Sequence, residues 1–358
     1  MSWAKIASDA IRQMWIPHPK YRQAESDAFA ALVTADPGEV ICIVGPSRVG
    51  KSSLVTRISE SLTGSSMSPE DRMPLVSLVL ENNSTHGLLS SKSFTIAALQ
   101  AVRHPMFGLD KPDDLWSLER MHRVERTPEG VLRTAFENAL RYRGTKYFVV
   151  DEAHHFLYAR GGLPAAAALL DSLKCLAAST GVVLILVGAY PLLDLLFHLP
   201  HLIGRKLQTH LPRYRADSRD DVVNFDRILI EYSKPLRFEG ALSLRTWNEY
   251  LHEGSHGCIG LLRGWIRDAL NRAWLTDVPA LSMEHFETTR KTHSDLQSLA
   301  AEIRLGEERL GYSVVATASS PTSTTVPRKT TQIRERNKPF SANPRRFTVG
   351  ERRDPYGK

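Results

Sequence analysis

Short apolar runs alternate with helix-like segments through the first two thirds of the chain. Four runs predict buried strands, at residues 40–44, 75–80, 146–150 and 182–187. Runs that are apolar throughout, with no polar alternation, are typical of parallel strands covered on both faces. The sequence therefore predicts an α/β fold with a doubly wound parallel sheet, in which ligands bind at the carboxyl ends of the strands.

Helical periodicity fills the intervals between these runs. The helices predicted in this part are 24–33, 93–102, 129–143 and 164–179, with a polar, proline-bearing connection from 104 to 128. A further short strand is predicted at 207–211. From Arg219 onward the strand pattern stops. The helices predicted beyond it are 220–234, 243–253, 259–275 and 283–310. A small all-helical domain therefore follows the α/β part.

The pattern divides the chain into four parts. We expect an N-terminal helical lead-in at 1–38, an α/β core at 39–218, a helical lid at 219–312 and a tail at 313–358. The tail begins with a stretch of Ser, Thr and Pro and has almost nothing to bury. We therefore predict that it is disordered.

A complete phosphate-binding motif follows the first apolar run. The pattern GxxxxGK[ST] is met by Gly45, Pro46, Ser47, Arg48, Val49, Gly50, Lys51 and Ser52. In such a loop, backbone N–H groups surround phosphate oxygens at a helix N-terminus, the Lys reaches the β- and γ-phosphates, and the Ser hydroxyl ligates Mg²⁺. The motif predicts a site for ATP or GTP, with Ser53 as a neighbouring contact.

Two acids end the strand that precedes residue 153. In P-loop NTPases the first such acid holds Mg²⁺ and the second polarises the attacking water. Asp151 and Glu152 fit these roles, so the pair favours hydrolysis of ATP. The letters Asp-Glu-Ala-His also occur in helicases, but such helicases need two tandem α/β domains, and 358 residues hold little beyond one such domain and a small partner. His154 and His155 lack the accompanying Cys and His residues of a zinc site.

The net charge of +7 is concentrated in the tail. Residues 313–358 contain ten Lys and Arg against three acids, so residues 1–312 are neutral in sum. No apolar stretch reaches membrane-spanning length, and the first residues lack the apolar core of a secretory signal. Three separated cysteines, Cys42, Cys175 and Cys258, stand in apolar segments. We therefore expect a cytoplasmic protein with reduced core thiols and no membrane contact.

These features together resemble the AAA+ ATPases, and among them the TniB/TnsC family of transposition regulators. The resemblance spans residues 25–290. It is carried by the phosphate loop, the strand end 148–154, and the segments 184–188, 202–205 and 257–263. It implies an ATPase that uses Mg²⁺ and assembles as a ring or helical filament on double-stranded DNA, without sequence preference. Such an assembly links a target selector to the transposase and is limited by ATP hydrolysis.

The resemblance also implies roles for individual residues. Arg205 stands where the family carries an arginine finger, which would act with Lys51 and Glu152 in phosphoryl transfer. Arg263 stands in the region of the lid's sensor arginine. Family DNA contacts follow the second strand, where Lys92 and Arg103 are the available cations. A surface position for Arg205, a packing role for Arg263 and solvated positions for Lys92 and Arg103 stay open.

One position departs from the family. Relatives often place a small polar residue after the fourth strand, whereas this chain has Ala189, whose methyl group cannot hydrogen-bond. Either Tyr190 takes over that contact or sensing of the γ-phosphate is weak. Two other functions therefore stay open: a general AAA+ or signalling NTPase that acts on protein partners without DNA, and an ATP-gated scaffold that seldom hydrolyses its nucleotide.

Overall fold

The computed structural model describes residues 2–63, 72–81, 88–108, 115–199, 206–240 and 242–311. Five strands form one parallel sheet in the order β2-β3-β4-β1-β5. The strands are β1 Val40–Val44, β2 Leu75–Val79, β3 Tyr147–Asp151, β4 Val183–Gly188 and β5 Lys206–His210. Strand β4 lies between β1 and β3, so the strand before the phosphate loop and the strand before the acid pair are about 10 Å apart.

Helices surround this sheet and continue beyond it. In the N-terminal half of the described chain they are α1 Trp3–Gln13, α2 Pro19–Thr34, α3 Lys51–Thr63, α4 Ser91–Ala101, α5 Leu115–Arg126 and α6 Glu129–Tyr142. Later helices are α7 Gly162–Thr180, α8 Pro191–Phe197, α9 Arg219–Ser233, α10 Asn248–Ser255, α11 Ile259–Leu275, α12 Met283–Thr289 and α13 His293–Arg309. Two short 3₁₀ helices, Ala153–Tyr158 and Leu244–Trp247, precede α7 and α10.

The predicted α/β fold with a parallel, doubly wound sheet is confirmed. Alternate residues of β1 enter two separate cores, because successive side chains of a strand point to opposite faces. Val40, Cys42 and Val44 join the larger core on one face, while Ile41 and Ile43 join a smaller core on the other. Helices cover both faces, which explains why the strand is apolar at every position.

Two predictions about helices were wrong. Residues 115–126 of the predicted polar connection form α5, where Val124 is buried in the larger core. The single helix expected at 283–310 is two helices, because Arg290 has extended backbone and Thr292 caps a new helix. The Thr292 hydroxyl oxygen accepts a hydrogen bond from the Asp295 amide at 3.2 Å. Thr followed three residues later by an acid indicates a helix start. The helical periodicity continues across it, so the sequence predicted a single helix.

The core of the lid helices α9–α12 includes residues of α1. Ala4, Ala7 and Ile11 of α1 pack with Leu262 and Ile266 of α11. Helix α13 packs elsewhere, since its Ile303 belongs to the larger core of the α/β part. The first and last described helices thus each contact a part of the molecule that is distant in sequence.

Several sequence predictions concern residues outside the described ranges. The segment 202–205, which includes Arg205, is among them, as are residues 83–87 and the whole tail from 313 to 358. Within the described ranges, Cys42 and Cys258 are buried as predicted, whereas Cys175 is exposed. No helix of the described residues is both long and apolar enough to cross a membrane.

Candidate nucleotide site

The phosphate loop joins β1 to α3 at the carboxyl edge of the sheet. Gly45 and Pro46 are buried, Ser47 and Gly50 are partly buried, and Arg48 is exposed. Arg48 has a positive φ of 62°, a conformation that costs a non-glycine residue free energy and is often found at functional sites. Val49 is buried and packs into the smaller core. The loop is thus anchored by Val49 while its polar residues face the site.

Lys51, the first residue of α3, is buried and turned back along the loop. Its ammonium donates hydrogen bonds to the carbonyl oxygens of Gly45 and Pro46, at 3.1 and 2.8 Å. Burial lowers the pKa of Lys51, and the carboxylates of Glu152, Glu302 and Asp151 oppose that shift. The ammonium therefore stands in a field of acidic groups at the base of the loop.

The acid pair lies across β4 from the loop. Asp151 ends β3 and is buried, and its Oδ1 accepts a hydrogen bond from the Glu152 amide at 2.8 Å. Glu152 adopts a positive φ of 55°, which turns the chain from the strand into the 3₁₀ helix. A strained backbone at an acid next to a phosphate loop is typical of a functional turn.

His154 links the second acid to the end of β4. Its Nδ1 lies 3.2 Å from Oε2 of Glu152 and 3.5 Å from the amide nitrogen of Ala189. Burial lowers the pKa of His154 to about 4, with additional contributions from His155 and Lys51. The ring is therefore neutral near pH 7, and Nδ1 accepts the hydrogen bond from the Ala189 amide, with the Glu152 carboxylate in close contact.

An open pocket of about 550 Å³ brings most of the predicted nucleotide contacts together. It is lined by Arg48, Gly50, Lys51, Ser52, Ser53, Glu152, Gly260, Arg263, Gly264 and Arg267. This volume lies in the range of pockets that hold nucleotide-sized ligands. Asp151 is buried directly behind it, so the loop, both acids and the lid meet at one place.

Helix α11 supplies two arginines to this pocket. Arg263, predicted as the sensor arginine, donates from Nε to the carbonyl oxygen of Ile11 at 3.0 Å, and so is engaged with α1. Arg267 lies one turn further along, and its buried Nε has no hydrogen-bond partner among the described residues. Sequence reasoning missed Arg267. Its spacing of four residues from Arg263, which places both on one face of the helix, was the available signal.

The start of α11 lies directly against the phosphate loop. A Cβ atom at Gly260 would come within 2.3 Å of the Arg48 carbonyl oxygen, so only glycine permits this approach. Gly264, one turn later, has open space around it. The two glycines form the surface of α11 that faces the loop, which explains how Arg267 reaches the pocket.

A second pocket adjoins the first, with Gly50, Ser53, Gly260 and Arg263 common to both, and lies next to the extended segment between α1 and α2. Met14, Trp15, Ile16 and His18 line it on one side. Val49, Ser53, Tyr232 and Ile259 are among the residues on the other sides. The pocket has a volume of about 70 Å³, and its mixed apolar and aromatic lining would suit contact with one face of a flat heterocyclic base.

Tyr190, which follows Ala189, is buried. Its hydroxyl lies 2.9 Å from Nε2 of His210 at the end of β5. The side chain also lies under α13, as described below. The structure thus gives Tyr190 a packing position between β5 and α13.

The two predicted DNA-contacting cations lie on α4 and its end, apart from the nucleotide pocket. Lys92 is in the first turn, and its ammonium donates to the Glu125 carbonyl oxygen of α5. Arg103 follows the helix, is exposed and has a positive φ of 51°. Eleven residues of helix separate the two ends by about 16 Å, so they would contact different phosphates of a duplex.

Comparisons with known proteins agree with this arrangement. The AAA domain family matches residues 35–196. The chain has the AAA+ P-loop fold. None of the curated proteins matches the sequence. Among solved structures, Aeropyrum pernix ORC2 with ADPNP and ADP is 14% identical, covering 77% of this chain and 69% of that chain, with a TM-score of 0.50.

Two further structures have the same fold. Aeropyrum pernix ORC1 in complex with DNA is 15% identical over 81% of this chain and 66% of that chain, with a TM-score of 0.52. CDC6P from Pyrobaculum aerophilum is 13% identical over 78% of this chain and 69% of that chain, with a TM-score of 0.50. At these identities the likeness concerns the fold.

Proposed function

We propose that this protein binds ATP with Mg²⁺ and hydrolyses it. The observation that carries this proposal is the convergence of Lys51, Glu152 and Arg267 on one pocket at the carboxyl edge of the sheet. Lys51 and Arg267 would bind the phosphates, and Glu152 would hold the attacking water. One strand, β4, lies between the strand of the loop and the strand of the acids, and the resulting separation of about 10 Å leaves room for that water.

The oxygen atoms of the side chains next to the loop are suitable ligands for Mg²⁺. Ser52 offers a hydroxyl at the start of α3, and Asp151 offers a carboxylate whose Oδ1 is already oriented by the Glu152 amide. Mg²⁺ prefers oxygen ligands and is commonly held by one or two protein groups together with substrate phosphates and water. When bound, the ion would neutralise negative charge on the phosphates.

We further propose that the nucleotide is ATP and that its base enters the pocket between residues 14–18 and the lid. Trp15 carries the Arg57 guanidinium 3.9 Å from its ring centre, which fixes that side of the pocket. Tyr232 and Ile259 of the lid face it across Val49. A base held by both the N-terminal segment and the lid would couple nucleotide binding to the position of the lid.

For the biological role, we propose an ATP-dependent regulator of DNA transposition. The protein would oligomerise on double-stranded DNA and link a target selector to the transposase. The resemblance to the TniB/TnsC family supports this, and the A. pernix ORC1 structure offers an example of the same fold in complex with DNA. Lys92 and Arg103 are the proposed phosphate contacts. Arg205 is the proposed arginine finger, acting on the ATP of a neighbouring subunit.

A second candidate is an ATP-gated scaffold with little hydrolysis. It is favoured by one specific observation: the position that often carries a polar γ-phosphate sensor holds Ala189, and the Tyr190 hydroxyl is engaged with His210. Under this alternative, Glu152→Gln would have the same slow turnover as the wild-type protein.

One experiment separates these proposals. The full chain is incubated with plain duplex DNA and a non-hydrolysable ATP analogue, and the retained material is imaged by electron microscopy. A DNA-bound ring or filament that requires the analogue supports the transposition regulator. Nucleotide binding without retention on DNA would instead support a function on protein partners. Mixing Arg205→Ala with Lys51→Ala protein then tests the finger, because mixed interfaces should regain ATPase activity.

A further inference from the structure

The last described helix, α13, reaches the phosphate loop. The Ser47 hydroxyl donates to both carboxylate oxygens of Glu302 on α13, at 3.1 and 3.3 Å. Glu302 is also one of the acids that act on Lys51. A carboxylate of this chain therefore lies at the phosphate loop and acts on the ammonium group that is suited to the phosphates of a nucleotide.

Helix α13 is fixed on the α/β part at its C-terminal end. Gly306 packs on the face of Tyr190 so closely that a Cβ atom there would lie 2.0 Å from a ring carbon. Glu307 is 3% exposed and accepts hydrogen bonds from Nε and Nη2 of Arg213, at 2.8 and 3.1 Å. Arg309 pairs with Asp194 of α8. The buried ion pair of Arg213 and Glu307, with its two hydrogen bonds, fixes the position of α13 on the α/β part.

The other end of α13 contacts the lid. His256, which precedes α11, lies with Nε2 3.0 Å from the Leu296 carbonyl oxygen of α13. The helix therefore runs from the lid, past the phosphate loop at Glu302, to the end of β4 at Gly306. Along that path it bridges the lid and the α/β part.

A nucleotide bound at the phosphate loop would meet the Glu302 carboxylate, which lies at the same loop. A nucleotide brings several negative charges to the loop, and a carboxylate a few ångströms away repels them in a partly buried site. The nucleotide must displace Glu302 from Ser47 or bind against this repulsion. Either route lowers nucleotide affinity, and linkage requires that the nucleotide weaken the docking of α13 by the same factor.

We propose that α13 is an autoinhibitory strap, in which Glu302 competes with nucleotide phosphates for the phosphate loop. The proposal rests on the proposed nucleotide site and adds its regulation. Any partner that pulls α13 away from Tyr190 and Arg213 would then raise nucleotide affinity, which makes the helix a route by which a bound partner controls the ATPase.

The test compares nucleotide affinity in two variants of the full chain. Dissociation constants for ADP and for a non-hydrolysable ATP analogue are measured by calorimetry for the wild-type protein, Glu302→Gln and Glu308→Gln. Glu308 is exposed on the same helix and serves as the charge-matched control. Glu302→Gln keeps an oxygen that accepts from Ser47 but removes the charge. We expect roughly tenfold tighter binding in Glu302→Gln and no change in Glu308→Gln.

A second readout follows the helix itself. Hydrogen exchange of the amides in α13 should become faster when the wild-type protein is saturated with the ATP analogue, and this change should be absent in α7. Unchanged or weaker binding in Glu302→Gln, or slower exchange in α13 with nucleotide, would overturn the strap while leaving the nucleotide site in place. Absence of nucleotide binding in both the wild-type protein and Glu302→Gln would overturn the proposed function as well.

Discussion

His154 contacts Glu152 and Ala189 through a single ring atom. Nδ1 lies 3.2 Å from a carboxylate oxygen of Glu152 and 3.5 Å from the Ala189 amide nitrogen. A neutral imidazole must donate from Nδ1 to contact the carboxylate and must accept at Nδ1 to contact the amide. The two contacts thus require different tautomers, and His154 can make only one of them at a time.

We expect His154 to position the acid. Glu152 is partly exposed on a strained turn, and the tautomer of His154 that donates from Nδ1 would hold its carboxylate in place. His154→Ala should therefore lower kcat for ATP hydrolysis roughly tenfold with little change in KM. His154→Gln, which keeps a donor, should retain more activity. A rise in kcat in His154→Ala would mean instead that His154 restrains Glu152.

Substitutions of Lys51 and Glu152 should affect different steps, nucleotide binding and hydrolysis respectively. Lys51→Ala removes the buried cation that offsets phosphate charge, so nucleotide affinity should fall by about a hundredfold or more. Glu152→Gln keeps the shape of the pocket, so binding should persist while kcat falls by about 10²-fold or more. Calorimetry and single-turnover kinetics on the two variants check this. Equal ATPase rates in Glu152→Gln and the wild-type protein would contradict the catalytic role of Glu152.

The two arginines that α11 supplies to the pocket, Arg263 and Arg267, offer a matched pair. Arg267 faces the pocket, so Arg267→Ala should weaken binding of an ATP analogue roughly tenfold. Arg263 donates to the Ile11 carbonyl oxygen, so Arg263→Ala should chiefly lower the thermal unfolding temperature by loosening α1 from α11. Titrations with the ATP analogue and thermal melts on both variants distinguish these roles. The reverse outcome would restore Arg263 as the sensor arginine.

Local motifs predicted the chemistry of the site better than its regulation. The phosphate loop and the acid pair are short signals that depend on the strand before each of them. The positions of Arg267 and Glu302 and the contact of His154 with Ala189 arise from tertiary packing, which brings together residues up to 255 positions apart. No periodicity along the chain could indicate that a residue of α13 reaches Ser47.

The helix boundaries also show which features local sequence patterns predict and which depend on tertiary structure. The regular apolar pattern predicted α11 at 259–275, as observed. It joined α12 and α13 into one helix, since a periodic pattern can continue across a break that a capping residue imposes. Because that break separates α13 from the lid helices, the docking of α13 on the α/β part was not foreseen from the sequence.

Acid should destabilise the fold through its buried histidines. Tyr214 donates to Nδ1 of His18 at 2.9 Å, and burial lowers the pKa of His18 to about 4, with a further contribution from Lys20. In the unfolded chain His18 titrates near its ordinary value of about 6.5. Between these values the unfolded state binds the proton and the folded state does not, so stability is lost as the pH falls from about 6.5 towards 4.

Urea unfolding at about pH 7.5 and about pH 5 measures this effect. The unfolding midpoint of the wild-type protein should fall at the lower pH. His18→Gln removes the group, so its midpoint should fall less between the two conditions, even if the variant is less stable at both. His122→Gln, at an exposed position of α5, is the control and should behave like the wild-type protein. Equal losses in all three proteins would assign the acid sensitivity to other groups.

DNA binding should depend on salt in a way that reports phosphate contacts. Lys92 and Arg103 lie about 16 Å apart at the two ends of α4, so each would neutralise a different phosphate. Each lost contact should reduce the slope of log affinity against log salt by roughly 0.9. We therefore expect the double variant Lys92→Ala and Arg103→Ala to bind duplex DNA more weakly and with a slope shallower by about 1.8. Lys234→Ala, an exposed cation of the lid paired with Glu231, is the control and should leave the slope unchanged. If the double variant and the control both match the wild-type protein, the DNA-binding surface lies elsewhere, and truncation of the basic tail after Tyr312 becomes the decisive comparison.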